Sequence, residues 1–152
     1  MVYSTGDFFR PKHGKLQDYL MGLITADAET YYDSDYTLSK MTTEEYINDP
    51  RFQMLMWGMR LPDGTYVTED TAHLDAKGIR DMLHDYRIHE NHLLCQNTMF
   101  DGAILNWRYG VRPTGYFDTM LMARLTLRHM IGSVSLKSIA KALGIGEKGT
   151  EV

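Results

Sequence analysis

The alternation of short apolar runs with segments of helical periodicity most constrains the fold of this chain. The apolar run at 19–26 ends at Asp27 and predicts a buried strand. A second run, at 53–61, is joined to the β-prone 65–68 by a Pro-Asp-Gly turn and predicts a hairpin. Further strands are predicted at 92–97 and 115–117, and helices at 74–86, 100–109, 119–130 and 135–143. Strands that alternate with helices, after an opening hairpin, predict an α/β fold with a mixed β-sheet flanked by helices.

The polar segment 31–50 separates the first strand from the hairpin. Its Thr42-Thr43-Glu44-Glu45 sequence is typical of a helix start, and Asp49-Pro50 is expected to end that helix. The segment also carries Tyr31, Tyr32 and Tyr36, which are either exposed loop residues or contacts for nucleobases. Residues 1–18 are expected to be an irregular lead-in, and 1–152 to form a single domain.

Composition excludes several classes of protein. Cys95 is the only cysteine, so a disulfide scaffold and a cysteine-built zinc site are excluded. A reducing compartment such as the cytoplasm is the expected location. No run of about 18 apolar residues is present, so no membrane association is expected. Of the 20 acidic residues, 17 lie in 1–102, whereas 103–152 is basic, which fits either a polyanion-binding surface or solvated helical faces.

Carboxylates follow two of the predicted strands. Asp27 and Glu29 come directly after the first apolar run, and residues i and i+2 of a strand point to the same face. Asp101 follows the third run, near the start of a helix, where a carboxylate is favoured. Neighbouring parallel strands would bring these ends together, and an all-oxygen ligand set suits magnesium or manganese. For Asp101 and Asp118 the alternative role is a plain helix cap.

Several motifs resemble those of DEDD-type 3′–5′ exonucleases, which have an RNase H-like fold. Asp-Ala-Glu-Thr at 27–30 resembles the first motif, and Asn-Thr-Met-Phe-Asp at 97–101 resembles the second. The segments 117–121 and 135–140 are similar to those of the proofreading domains of family A DNA polymerases, and 46–52 is similar to an insert of phage-type polymerases. The resemblance covers roughly 19–150.

The resemblance implies a catalytic site with two divalent ions, Mg²⁺ or Mn²⁺, that hydrolyses the phosphodiester at a free 3′ end of single-stranded DNA. By position, the catalytic residues and metal ligands are Asp27, Glu29 and Asp101, and Glu29 also orients the attacking water. The residues in contact with the terminal nucleotide are Thr30, Asn97 and Phe100; for Phe100 a core position is the alternative.

The third motif of the family has no counterpart here. It supplies a fourth aspartate with a tyrosine or histidine four or five residues before it, and no such pattern occurs near Val152. Two expectations follow: a fragment of a longer protein or a free-standing degenerate protein. The fragment is favoured, with the family's C-terminal helix missing and a polymerase domain on the same longer chain. If the protein is encoded by a phage, the host cytoplasm is its expected location.

Three other interpretations remain open. A structural or interaction domain would use its acidic residues only to cap helices. An RNA-directed exonuclease would have the same site. A non-catalytic module would bind single strands through charge and aromatic stacking. The charge for that module would come from the basic residues Arg108, Arg112, Arg124, Arg128, Lys137, Lys141 and Lys148.

Overall fold

The computed structural model describes residues 22–146, in which strands and helices alternate as predicted. The strands are β1 (Leu23–Thr30), β2 (Met54–Arg60), β3 (Tyr66–Asp70), β4 (His92–Cys95) and β5 (Gly115–Asp118). The α-helices are α1 (Thr43–Asn48), α2 (Ala76–Asp85), α3 (Thr98–Ala103), α4 (Thr119–Thr126) and α5 (Leu136–Leu143). A 3₁₀ turn precedes β4 (Ile88–Glu90), and a π-helical turn (Ile104–Arg108) continues α3. The predicted lead-in at 1–18 lies outside the described residues.

The five strands form one mixed sheet in the order β3-β2-β1-β4-β5. The predicted hairpin is present as the antiparallel pair β2 and β3, and β2 also pairs antiparallel with β1. The strands β1, β4 and β5 run parallel to one another. The register places Cys95, the last residue of β4, beside Asp118, the last residue of β5, and Cys95 lies next to the middle of β1, which continues past it to Thr30.

The hydrophobic core lies against one face of the sheet. On β1 the buried side chains are Ile24 and Ala26, which alternate with more exposed neighbours. Trp57 on β2 is fully buried in the same cluster, and α2 contributes Ile79 and Leu83 to it. The alternation fixes which residues of β1 face the core and which face the other side of the sheet. No helix in 22–146 is long and apolar enough to cross a membrane.

Local signals placed several helix ends correctly. Thr42 caps α1 in a capping box with Glu45, and Asp49 follows its last residue, as predicted. The left-handed Gly144 ends α5 (φ 64°), which is the conformation that favours glycine at this position.

Several predicted boundaries were wrong. The strand predicted at 92–97 ends at Cys95, and the strand predicted at 65–68 extends to Asp70. The first strand does not end at Asp27; it continues to Thr30 because β2 pairs with it as far as Met54. The predicted helix at 100–109 begins at Thr98 and changes from α to π geometry after Ala103. The helix predicted at 119–130 ends at Thr126. An apolar run in the sequence indicates which residues are buried, whereas the ends of these strands and helices are set by backbone pairing and turn geometry.

Candidate active site

The first motif lies in the second half of β1. Asp27 and Glu29 both project from the exposed side of the strand, and Ala28 between them points the other way. They therefore share a face, as the i, i+2 spacing predicts. Opposite them on β2 are Gly58 and Met56.

The second motif is joined to the first by a hydrogen bond. The backbone N–H of Ala28 donates to Oδ1 of Asp101 at 3.1 Å, although 73 residues separate the two in sequence. Asp101 is the fourth residue of α3 and its side chain is only 2% exposed. The predicted convergence of the two motifs at one edge of the sheet is therefore present, with the bond to Ala28 directly between Asp27 and Glu29.

Burial perturbs the acid–base chemistry of Asp101. Desolvation raises its pKa to about 7; the Ala28 N–H opposes the shift, and the charges of Asp27 and Asp118 add to it. Burial also raises the pKa of the Cys95 thiol, and the negative charges of Asp101 and Asp27 raise it further. Cys95 ends β4 next to the middle of β1, and Asp118 ends β5 beside Cys95, so Asp27, Asp101 and Asp118 belong to one acidic region.

The chemistry of this region fits a hard divalent cation. Its donors are carboxylate oxygens, which suit magnesium or manganese. Asp27 and Asp101 repel each other electrostatically, and a cation would relieve that repulsion. Within 22–146, no three His, Cys, Asp or Glu side chains are grouped closely enough to form a ready-made metal site. The described carboxylates are therefore of the ligand type that binds magnesium or manganese, but they do not form a complete ligand set.

Two of the three residues expected to contact substrate meet at Tyr46. Thr30 Oγ1 is 2.8 Å from the Tyr46 hydroxyl, which also donates to the carbonyl of Tyr31 at 2.6 Å. The ring of Phe100 lies 5.9 Å from that of Tyr46 and is partly buried against the core. Phe100 thus has the core contact that was its alternative role. Nothing in the sequence pattern indicated this use of Tyr46.

The third such residue, Asn97, begins the turn into α3. It adopts the left-handed conformation (φ 78°), and its backbone N–H donates to Oδ1 of Asp118 at 3.2 Å. Asp118 also caps α4 by accepting from the N–H groups of Met120 and Leu121, which is the capping role that the sequence allowed.

The three tyrosines after the first motif differ in exposure. Tyr36 is not a loop residue open to nucleobases, because it is fully buried and stacks on Tyr46 at 4.4 Å between ring centroids. Tyr31 stacks on Tyr36 at 6.1 Å and is partly exposed. Tyr32 is 73% exposed, so of the three it is the most accessible to a ligand.

A groove of about 400 Å³ lies beside α3, on the side of β5. No sequence pattern indicates this groove, because its walls come from four separate elements. Its lining residues are Thr98, Met99, Gly102, Ala103, Asn106, Trp107, Tyr116, Asp118 and Leu121. Trp107 and Tyr116 are both about half exposed there, so the groove is open and largely apolar.

No protein-family profile matches the sequence, and no curated protein sequence matches it. Solved structures do match. Brucella melitensis NrnC bound to pGG has a TM-score of 0.60 at 18% identity, covering 90% of this chain and 59% of that one. The same nuclease with bound Mg²⁺ has a TM-score of 0.58 at 19% identity, covering 90% and 60%. Trypanosoma brucei RNase D in complex with RNA U12 has a TM-score of 0.54 at 17% identity, covering 88% and 44%.

This chain spans about three fifths of the length of the NrnC structures and less than half of the RNase D structure. At these identities the similarity is one of fold. The strand order, with its mixed antiparallel and parallel pairing, is that of an RNase H-like fold. The described residues therefore have an RNase H-like α/β fold built on a five-stranded mixed sheet.

Proposed function

We propose that this chain forms a 3′–5′ exonuclease domain that hydrolyses the terminal phosphodiester of single-stranded nucleic acid. The observation that carries the proposal is the hydrogen bond from the Ala28 N–H to Asp101. It brings the carboxylate of the second motif to the strand that carries Asp27 and Glu29. The fold similarity to nucleases supports the same reaction class.

In this proposal Asp27, Glu29 and Asp101 are the catalytic carboxylates and hold two Mg²⁺ or Mn²⁺ ions. Such ions supply activation of a water molecule and neutralisation of charge on the leaving 3′ oxygen. Asp101 is held in place by the Ala28 N–H, and its charged form is costly until a cation is present. Glu29, on the exposed side of β1, orients the attacking water.

The terminal nucleotide is proposed to contact Thr30, Asn97 and Phe100. Thr30 and Phe100 both contact Tyr46, so the buried ring of Tyr46 lies beneath this part of the site. Asn97 lies at the start of α3 and, like Phe100, precedes Asp101 in the sequence. A nucleotide that touches all three would therefore span the region between β1 and α3.

Two substrates are supported by different observations. The polymerase-like segments 46–52, 117–121 and 135–140 favour the 3′ end of single-stranded DNA and a proofreading role beside a polymerase domain on a longer chain. The structural similarity to RNase D in complex with RNA U12 favours RNA. We propose DNA as the substrate, with RNA as the second candidate.

The test is a nuclease assay on the 152-residue chain with 5′-labelled single-stranded DNA and RNA of the same sequence, in Mg²⁺ and in Mn²⁺. The expected product is a ladder that shortens from the 3′ end, faster on DNA. Asp101→Asn should abolish it. Asp81→Asn is the matched control, because Asp81 is an exposed carboxylate on α2.

Three outcomes are informative. A ladder that Asp101→Asn removes and Asp81→Asn retains supports the exonuclease. A ladder that forms faster on RNA identifies RNA rather than DNA as the preferred substrate and leaves the proposed reaction unchanged. No shortening of either strand by the wild-type chain, with either metal, contradicts the proposal that this chain is an active nuclease.

A further inference from the structure

Asp118, at the junction of β5 and α4, accepts four backbone hydrogen bonds. Its Oδ1 accepts from the N–H groups of Met120 and Leu121 at 2.9 and 3.0 Å, which is an ordinary helix cap. The same oxygen accepts from the N–H of Asn97 at 3.2 Å, and Oδ2 accepts from the N–H of Thr98 at 3.0 Å. One carboxylate thus serves the starts of two different helices.

The contact with α3 is reinforced by a third hydrogen bond. The Thr98 hydroxyl donates to the carbonyl of Phe117 at 2.8 Å, and Thr98 is buried. The start of α3 is therefore fixed to the end of β5 by three hydrogen bonds, two to the Asp118 side chain and one to the backbone. None of these bonds is needed to cap α4.

Helix α3 depends on such an anchor. It has only six α-helical residues before the π-helical turn, and so short a helix is not stable on its own. Asn97 has no side-chain cap bond to the helix and adopts a left-handed conformation that is uncommon outside glycine. Its geometry therefore has to be held from outside, and Asp118 is the residue that bonds its N–H.

We propose that Asp118 is a positioning residue that sets the location of Asp101 relative to β1. Asp101 lies three residues after Thr98, about one helical turn along α3, so a shift of the helix start moves its carboxylate. Asp118 bonds to backbone N–H groups in this role and does not bind the metal or the substrate. The proposal rests on the exonuclease function insofar as Asp101 is a catalytic carboxylate.

The test separates the two roles of Asp118 by a change of side-chain length. In Asp118→Ser the hydroxyl can still accept from the start of α4, as a serine N-cap does, but it cannot also reach Asn97 and Thr98. Asp75→Ser is the matched control, because Asp75 caps α2 by accepting from the Gly78 N–H at 2.7 Å. Both substitutions alter one cap, and only the first releases α3.

The first readout is independent of catalysis. The Ala28 amide reports the bond to Asp101. Its hydrogen exchange and ¹⁵N shift are measured in the wild type and in both serine variants, with Asp101→Ala as the reference for a lost bond. In Asp118→Ser we expect protection of the Ala28 amide to fall about 10-fold. In Asp75→Ser it should stay within about two-fold of the wild type.

The second readout is turnover. At saturating oligonucleotide, Asp118→Ser should lower kcat by about 10- to 100-fold, since small displacements of a catalytic group have effects of that size. Asp75→Ser should leave kcat unchanged. If Asp118→Ser does not fold, Asp118→Asn takes its place, because it keeps an acceptor oxygen at one of the two positions and should loosen the Ala28 amide in the same direction.

The outcomes distinguish the proposals. An inert wild-type chain whose Ala28 amide loosens in Asp118→Ser refutes the nuclease function and supports positioning of Asp101 by Asp118. An unchanged Ala28 amide in both Asp118 variants overturns the positioning role. A loss of turnover with an unchanged Ala28 amide also overturns it, because Asp118 would then act on the reaction directly.

Discussion

Replacement of Asp101 by asparagine should make the protein more stable at high pH. The side chain is almost fully buried, and this desolvation raises its pKa from 3.8 to about 7. The hydrogen bond from the Ala28 N–H opposes the rise, and the charge of Asp27 adds to it. Asparagine has nearly the same shape, keeps an oxygen to accept from Ala28 and never ionises. The variant therefore removes the charge and little else.

The sign follows from proton binding. Below pH 3.8 the carboxyl is protonated in both the folded and the unfolded chain, and the raised pKa has no cost. Between 3.8 and about 7 the folded chain keeps a proton that the unfolded chain releases, so stability falls as pH rises. A shift of this size corresponds to about 4 kcal/mol, of which about 2.5 kcal/mol develops between pH 5 and pH 8.

The assay is urea unfolding of the wild type and Asp101→Asn at several pH values, without divalent ions. The difference in free energy of unfolding between the two proteins isolates Asp101, because all other groups titrate in both. That difference should change by about 2.5 kcal/mol in favour of the variant from pH 5 to pH 8. A difference that is constant with pH would refute the raised pKa and, with it, the account of an electrostatically strained site.

Three further predictions can be checked by the same unfolding measurements. Mn²⁺ at pH 8 should stabilise the wild type and not Asp101→Asn, since a ligand that binds only the folded state raises its stability; equal stabilisation of both would argue against a role for Asp101 in metal binding. Tyr46→Phe removes the hydroxyl that donates to the Tyr31 carbonyl and should cost about 1–2 kcal/mol, and an unchanged unfolding midpoint would show that water replaces the bond. Leu105→Ala, at a fully buried position, should cost about 2–5 kcal/mol, whereas Leu125→Ala, at an exposed one, should change stability by less than about 0.5 kcal/mol; similar values for the two would contradict the placement of the core.

A mixed β-sheet could be predicted from the sequence, but the order of its strands could not. The hairpin at 53–68 and the alternation of strands with helices gave the mixed sheet, because turn residues and periodicity are local signals. The predicted end of β1 at Asp27 was wrong because Asp27 and Glu29 are polar residues inside a paired strand. Their exposure shows in the sequence, but the backbone pairing with β2 that extends the strand to Thr30 does not.

The part of the candidate site that could be predicted from the sequence is its set of carboxylates. The carboxylates of the two motifs were expected at neighbouring strand ends, and Asp101 does bond to Ala28 there. The positions of Thr30 and Phe100 beside Tyr46 were not predictable, because Tyr46 lies in a different helix and its spacing from either residue carries no periodic signal. Contacts between elements that are distant in sequence depend on the packed fold.

The depth of Asp101 explains why its acid–base chemistry departs from that of an ordinary aspartate. From its sequence alone this residue would have the usual pKa of 3.8. In the fold, Asp101 is enclosed by α3 and the strands, so burial penalises its ionised form and raises its pKa to about 7. The carboxyl group of Asp101 is therefore close to its midpoint at neutral pH. A cation that binds beside Asp101 stabilises its ionised form, so metal binding at pH 6 should release a proton that binding at pH 9 does not.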